Sequence, residues 1–142
     1  SEGRYLVGGR PISLGDIRTP VFCVGTETDH VAPWRSVYKL HFMTTTEMTF
    51  VLTSGGHNAG IVSEPGHPHR HYRICTSLGG DTYLAPDDWM KATPVKEGSW
   101  WSEWSDWVKA RSAEPSVLRK AGAAARHYPV LGDAPGQYVF QK

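Results

Sequence analysis

The chain has 142 residues, with 15 Lys or Arg against 14 Asp or Glu, so its formal charge is +1 before any of its 7 histidines protonate. A content of 39% hydrophobic and 20% charged residues excludes disorder of the whole chain and suits one domain over 1–142. Near-neutral charge excludes affinity built on neutralising many phosphates, hence nucleic acid as partner; no window approaches about 18 uninterrupted apolar residues, so no membrane span is expected.

The opening SEGRYLVGGR lacks the charged start and apolar centre of a signal peptide. Cys23 and Cys75 allow at most one bridge, which points to a reducing, cytoplasmic compartment. From Tyr5 to Asp16 the glycines and Pro11 read as an extended or turning lead-in rather than a regular element. Pro20 to Gly25, PVFCVG, is a short apolar run without alternation, as expected of a strand covered on both faces. It empties into Glu27, Thr28, Asp29 and His30, at the strand end where open α/β sheets carry their chemistry.

Pro33 suits a first helical position, and Trp34, Val37, Tyr38 and His41 recur at helical spacing up to Thr44, predicting one amphipathic helix of about three turns. Met48 to Thr53, MTFVLT, is a second β-rich run, followed by the turn Ser54-Gly55-Gly56-His57-Asn58. Strand, helix, strand with a right-handed crossover sets the two strands parallel, so Asp29 and His57 emerge at one rim of the sheet. Farther on, His71 to Thr76 offers a weak strand, Asp87 and Asp88 start a short helix, and Ser99 caps a longer one running to about Ser112. The expected class is α/β, a parallel βαβ core with additional C-terminal helices.

An acid that orients an imidazole and an imidazole that moves a proton work together whatever their separation in the chain, so Asp29 and His57 are the first candidates. The bland alternative is a pair of polar loop tips. No G-x-nucleophile-x-G elbow is present to supply a third member. Cys23 lies within an apolar strand, which predicts a buried, unreactive thiol, and Cys75 lacks flanking glycines; both read as small packed hydrophobes.

TPVFCVGTETDHVAPWRSVYKL followed by FVLTSGGHNAGIVSEPGHP resembles the C-terminal part of the polyhydroxyalkanoate synthases, the poly-3-hydroxybutyrate polymerase family, and the likeness extends from YLVGGRPISLGDI to the APGQYV tail. The resemblance implies an α/β-hydrolase fold whose catalytic Asp and His fall on Asp29 and His57. It implies a cysteine nucleophile in an upstream G-x-C-x-G elbow, so the chain starts after that elbow and alone is inactive. The implied activity is acyl transfer from 3-hydroxyacyl-CoA to a growing polyester with release of CoA, needing no diffusible cofactor and no metal. Implied partners are the thioester, the polymer chain and the upstream part of the same enzyme, with a homodimer a further expectation and the polyester granule surface a location. His30, adjoining Asp29, is a candidate substrate-binding neighbour. The alternatives are a non-catalytic polymer- or partner-binding module and an esterase segment with the same triad order.

Two further clusters compete for attention. His67, His69 and His71 alternate as metal ligands on a strand would, but Pro68 breaks a regular strand there and Arg70 adds positive charge, so a solvated loop is the simpler reading. Trp100, Trp104 and Trp107 share a helical face, which predicts core packing over a ligand platform. Lys91, Lys96, Arg119, Lys120 and Arg126 read as a solvated face rather than a phosphate site.

Overall fold

Apolar runs without alternation need cover on both sides, and in the computed structural model, which describes residues 4–117, 121–123 and 126–142, that is where the two densest runs lie. They form β3 (Val21–Thr26) and β4 (Met48–Thr53), after a hairpin of β1 (Tyr5–Val7) and β2 (Arg10–Ile12). β3 and β4 run parallel, in register from Val21 opposite Met48 to Thr26 opposite Thr53. β5 (His71–Ser77) pairs antiparallel with β4, and the two-residue β6 (Lys96–Glu97) pairs antiparallel with β5, giving the order β3-β4-β5-β6. The class is therefore α/β with a mixed sheet, and the parallel βαβ unit is its core.

Every residue of β4 is buried. Phe50 and Leu52 face a cluster of Trp34, Tyr38 and Trp89, while Val51 faces one of Tyr72 and Trp100. Neighbouring positions on a strand point to opposite sides, so burial of both sides erases the alternation that marks a half-exposed strand. β3 divides its side chains the same way, Cys23 packing on the first cluster and Phe22 and Val24 on the second.

The crossover is α1 (Trp34–Tyr38) and α2 (Leu40–Met43), two short helices where one was expected. The interruption is at Lys39: its N–H bonds Ser36 O, and its carbonyl takes the N–H of Phe42, three-residue spacings that tighten the helix and break the four-residue ladder. Pro33 is the cap rather than the first helical residue; its extended ψ of 128° lets its carbonyl accept from Ser36 and Val37. α3 (Pro86–Ala92) carries Asp87 and Asp88 in its first turn. α4 (Trp101–Lys109) stops short of Ser112, and its cap is Trp100 rather than Ser99, whose Oγ nonetheless accepts from Trp101 N at 3.0 Å.

The lead-in corrects the expectation of an irregular connector. Gly8 (φ 56°) and Gly9 (φ 76°) stand between β1 and β2. Positive φ at two consecutive residues is the tight hairpin turn that matches strand twist and that glycine adopts without penalty. All six strand residues of this hairpin are nonetheless exposed.

The chain divides into two compact units, Ser1–Arg111, which holds all the elements above, and Ser112–Lys142. The second contains a bridge between Ala123 and Tyr128 and a short 3-10 turn at Tyr138–Phe140. Arg119 and Lys120 of the expected basic face lie outside the described residues. Among the described residues no helix is long and apolar enough to cross a membrane.

Candidate functional site

The parallel pairing of β3 and β4 delivers two turns to the same rim. Beyond the last paired residues the ladder continues into the turns: Glu27 N donates to Thr53 O at 2.9 Å and Thr28 N to Gly55 O at 3.1 Å. The Asp29 turn and the His57 turn are thus stitched together by backbone before any side chain contributes. Sequence separation is no obstacle to this meeting, because the crossover spans it.

Asp29 is held by the chain that follows it. Its Oδ1 accepts from Val31 N at 2.8 Å and Ala32 N at 2.9 Å, while Oδ2 accepts from His57 Nδ1 at 2.9 Å. The Ala32 N–H foremost, then the His57 imidazole, and more weakly the Val31 N–H and the charge of His57, favour the charged form and draw the Asp29 carboxyl down to about 2. A carboxylate has no hydrogen to offer, so Nδ1 of His57 is the donor, and in the neutral imidazole it is Nε2 that carries the lone pair. The Asp29 side chain is only 8% exposed against 49% for His57: the acid is sheltered and the imidazole opens to solvent. This arrangement can accept a proton at Nε2 and stabilise the resulting imidazolium.

His30 is exposed and takes no part in that bond. Cys23 is half-buried in β3, where burial raises its thiol to about 11 and leaves it protonated and inert. Cys75 departs from the expected packed hydrophobe: it is exposed, its side chain projecting from a part of β5 that neither cluster covers.

The alternating histidines do not share a strand face. Only His71 belongs to β5; His69 has a positive φ of 58° within the preceding turn. His67 Nδ1 donates to Pro68 O at 3.0 Å, and His71 Nε2 lies 3.3 Å from Glu27 Oε2. Among the described residues no group of three or more His, Cys, Asp or Glu is disposed to hold a metal ion.

The tryptophans divide. Trp100 is buried with Val51 and Tyr72, and Trp107 packs edge-on to Phe22 at 5.6 Å, but Trp104 on the same expected face is 47% exposed. The core contacts of α4 are therefore made at Trp100 and Trp107, both against Phe22, and not at Trp104 between them. What sequence reasoning missed is where the indole N–H groups go: Trp100 Nε1 donates to Gly60 O at 3.1 Å and Trp101 Nε1 to Ile61 O at 2.9 Å. Ser99 Oγ donates to Ser63 O. A buried indole usually finds a partner for its donor, so two adjacent tryptophans at a helix start were a readable sign that some carbonyl-rich turn lies against them; which turn was not readable.

Gly60 closes the His57 turn. Its N–H bonds Gly56 O at 2.9 Å, and a Cβ there would fall 2.5 Å from Thr26 Cγ2 and 2.9 Å from Ser54 O. The turn therefore lies directly against the end of β3, which is why the two rims meet within hydrogen-bond reach.

No family model matches the chain. Among curated proteins it is similar to poly(3-hydroxyalkanoate) polymerase 2 of Ectopseudomonas oleovorans, 35% identical over 136 residues, which is 96% of this chain and 23% of that protein. It is 34% identical over 139 residues to the poly(3-hydroxyalkanoate) polymerase subunit PhaC of Rhizobium meliloti, covering 98% of this chain and 22% of that protein. With PhaC of Cupriavidus necator it shares 29% identity over 140 residues, 99% of this chain and 23% of that protein. The chain spans less than a quarter of the length of these relatives.

Proposed function

The chain belongs to the poly(3-hydroxyalkanoate) polymerase family, and on that premise we propose that it is the C-terminal catalytic segment of a polyester synthase with an α/β-hydrolase fold, supplying the histidine and aspartate of a Cys-His-Asp triad. The observation that carries this reading is the 2.9 Å bond from His57 Nδ1 to Asp29 Oδ2, which leaves Nε2 as the proton acceptor. On this reading the nucleophilic cysteine comes from outside these residues: the half-buried Cys23 is held protonated, and Cys75 sits on β5 opposite Phe50, back from the rim where β4 ends at Thr53.

In the proposed cycle Nε2 of His57 takes the proton of that cysteine, and the thiolate attacks the carbonyl of a 3-hydroxyacyl-CoA thioester. The carbon–sulfur bond to coenzyme A breaks, and the CoA thiolate leaves with the proton from the imidazolium. His57 then takes the proton of a 3-hydroxyl as its oxygen attacks the acyl-cysteine, extending the ester chain and freeing the cysteine. Asp29 keeps Nδ1 protonated throughout and stabilises the imidazolium each time it forms. His30, exposed at the same rim, is read as a substrate contact. No diffusible cofactor is needed; assembly as a homodimer at the granule surface belongs to the same reading.

The test is made in the full-length polymerase that carries this segment. His57→Gln and Asp29→Asn should each lower polymer formation by roughly 10²- to 10⁴-fold with circular dichroism unchanged. Turnover of either variant within about tenfold of wild type sinks the assignment. Release of free 3-hydroxy acid in place of polymer identifies an esterase instead.

A further inference from the structure

The His57 turn contains Gly55, Gly56 and Gly60, a backbone with little stiffness of its own. Internally it is closed by Gly60 N to Gly56 O at 2.9 Å, Ile61 N to Asn58 O at 3.1 Å and Val62 N to Asn58 O at 2.9 Å. Its outgoing arm is gripped from outside by three consecutive residues: Ser99 Oγ on the carbonyl of Ser63, Trp100 Nε1 on that of Gly60 and Trp101 Nε1 on that of Ile61. An indole nitrogen only donates, so the direction of both tryptophan bonds is fixed.

The gripping residues are themselves referenced to the sheet. Trp100 stacks on Phe22 of β3 at 6.2 Å and is buried with Val51 of β4 and Tyr72 of β5. One turn on, Glu103 accepts from Tyr72 Oη at 3.0 Å and from Lys96 Nζ at 2.7 Å. The sheet that carries Asp29 on β3 thus also fixes the donors that hold the far side of the His57 turn.

Resting on the triad reading above, we infer that Trp100 and Trp101 are positioning residues: their indole N–H groups set the His57 turn so that Nδ1 meets Asp29 and Nε2 faces the reacting thiol. They touch no reacting atom. Their effect travels through the carbonyls of Gly60 and Ile61, three and four residues beyond His57.

The experiment removes the donors and keeps an aromatic ring at each position. In the full-length polymerase, Trp100 is replaced by 3-benzothienylalanine, a bicyclic isostere without the N–H, and Trp101→Phe is made separately. Trp104→Phe, on the exposed side of α4, is the control, and His57→Gln reports on the triad itself. The readouts are kcat and KM for CoA release from 3-hydroxybutyryl-CoA, and the ¹⁵N signals of the His57 ring. Loss of one positioning bond should lower kcat roughly 5- to 50-fold with KM within about twofold, the signature of misplacement rather than weaker binding. The ring should pass from a single Nδ1–H tautomer to a mixture of tautomers, and Trp104→Phe should stay within about twofold of wild type.

Wild-type kcat in both donor-less variants, with His57→Gln inactive, overturns the positioning role and leaves the triad standing. So does a fall in kcat with the Nδ1–H signal unchanged, or an equal fall in Trp104→Phe. Full activity of His57→Gln overturns the triad and the positioning role together.

Discussion

At the C-terminal ends of β3 and β4 the side chains are held by directional bonds: Asp29 takes two backbone N–H groups and one imidazole N–H, at 2.8 to 2.9 Å. At the opposite ends of the same strands lies an open cavity of about 450 Å³, whose lining sets Tyr38, His41, Phe42, Tyr83 and Trp89 beside Met48 and the threonines 44–46. There the organisation is ring on ring, with Phe42 over Tyr83 at 3.9 Å and Phe50 edge-on to both Tyr38 and Trp89 at 5.1 Å. Dispersion and burial are summed over many contacts and tolerate small shifts, whereas a hydrogen bond is lost over a few tenths of an ångström and a few tens of degrees. One end of the sheet therefore supplies stability and the other supplies geometry.

That division can be broken by changing the apolar end alone. Phe50 is wholly buried, and Phe50→Ala should destabilise the chain by about 3–5 kcal/mol, read as a lower urea midpoint. The His57 Nδ1–H signal should persist in the fraction that stays folded. Its disappearance from folded molecules would mean that the aromatic cluster also sets the site. A smaller stability effect is expected at the polar end from Gly60→Ala, where the new methyl meets Thr26 Cγ2 and Ser54 O: about 1–3 kcal/mol of overpacking, accompanied this time by loss of the His57–Asp29 bond. A variant that keeps that bond with unchanged stability would show that the turn relaxes freely.

Acid sharpens the contrast, with a smaller effect spread over two windows. His41 is lowered from its usual 6.5 by burial, so the unfolded chain takes up its proton first; the stability it contributes is present above pH 6.5 and is lost as pH falls below that value. Asp29 is lowered from 3.8 to about 2, first by the Ala32 N–H, so its contribution is complete above pH 3.8 and disappears between there and about pH 2. Unfolding midpoints measured from pH 7 to 2 should fall in two stages. His41→Asn should flatten the upper stage and Asp29→Asn the lower; the reverse pattern would contradict both assignments.

The elements most legible in the chain were those whose local pattern and tertiary surroundings agree. PVFCVG and MTFVLT carry enough β-branched and aromatic residues to be strands anywhere, and their lack of alternation correctly implied cover on both faces. The crossover helix was legible in position but not in its break, because the spacing of Trp34, Val37, Tyr38 and His41 is helical on either side of Lys39 and carries no trace of the tightened turn there. The hairpin Tyr5–Ile12 was missed because its glycines were read as breakers, when two at positive φ are what a tight hairpin requires. Trp104 was assigned to the core from a helical stripe that it shares with Trp100 and Trp107, but spacing does not show which member of a stripe the sheet covers, and Trp104 is left 47% exposed while the other two pack on Phe22.

The order of residues alone determined that an acid and an imidazole follow the two apolar strands, and a helical crossover between those strands then set them parallel. Contact between the two groups was another matter. It depended on the Gly60 backbone lying against Thr26, on Val31 and Ala32 turning their amides back onto Asp29, and on two indoles reaching carbonyls some 40 positions earlier. Periodicity and turn chemistry are carried by neighbours in the chain, so they can be read in one dimension. The closing of a 2.9 Å bond between remote turns is carried by packing, which only the folded arrangement specifies.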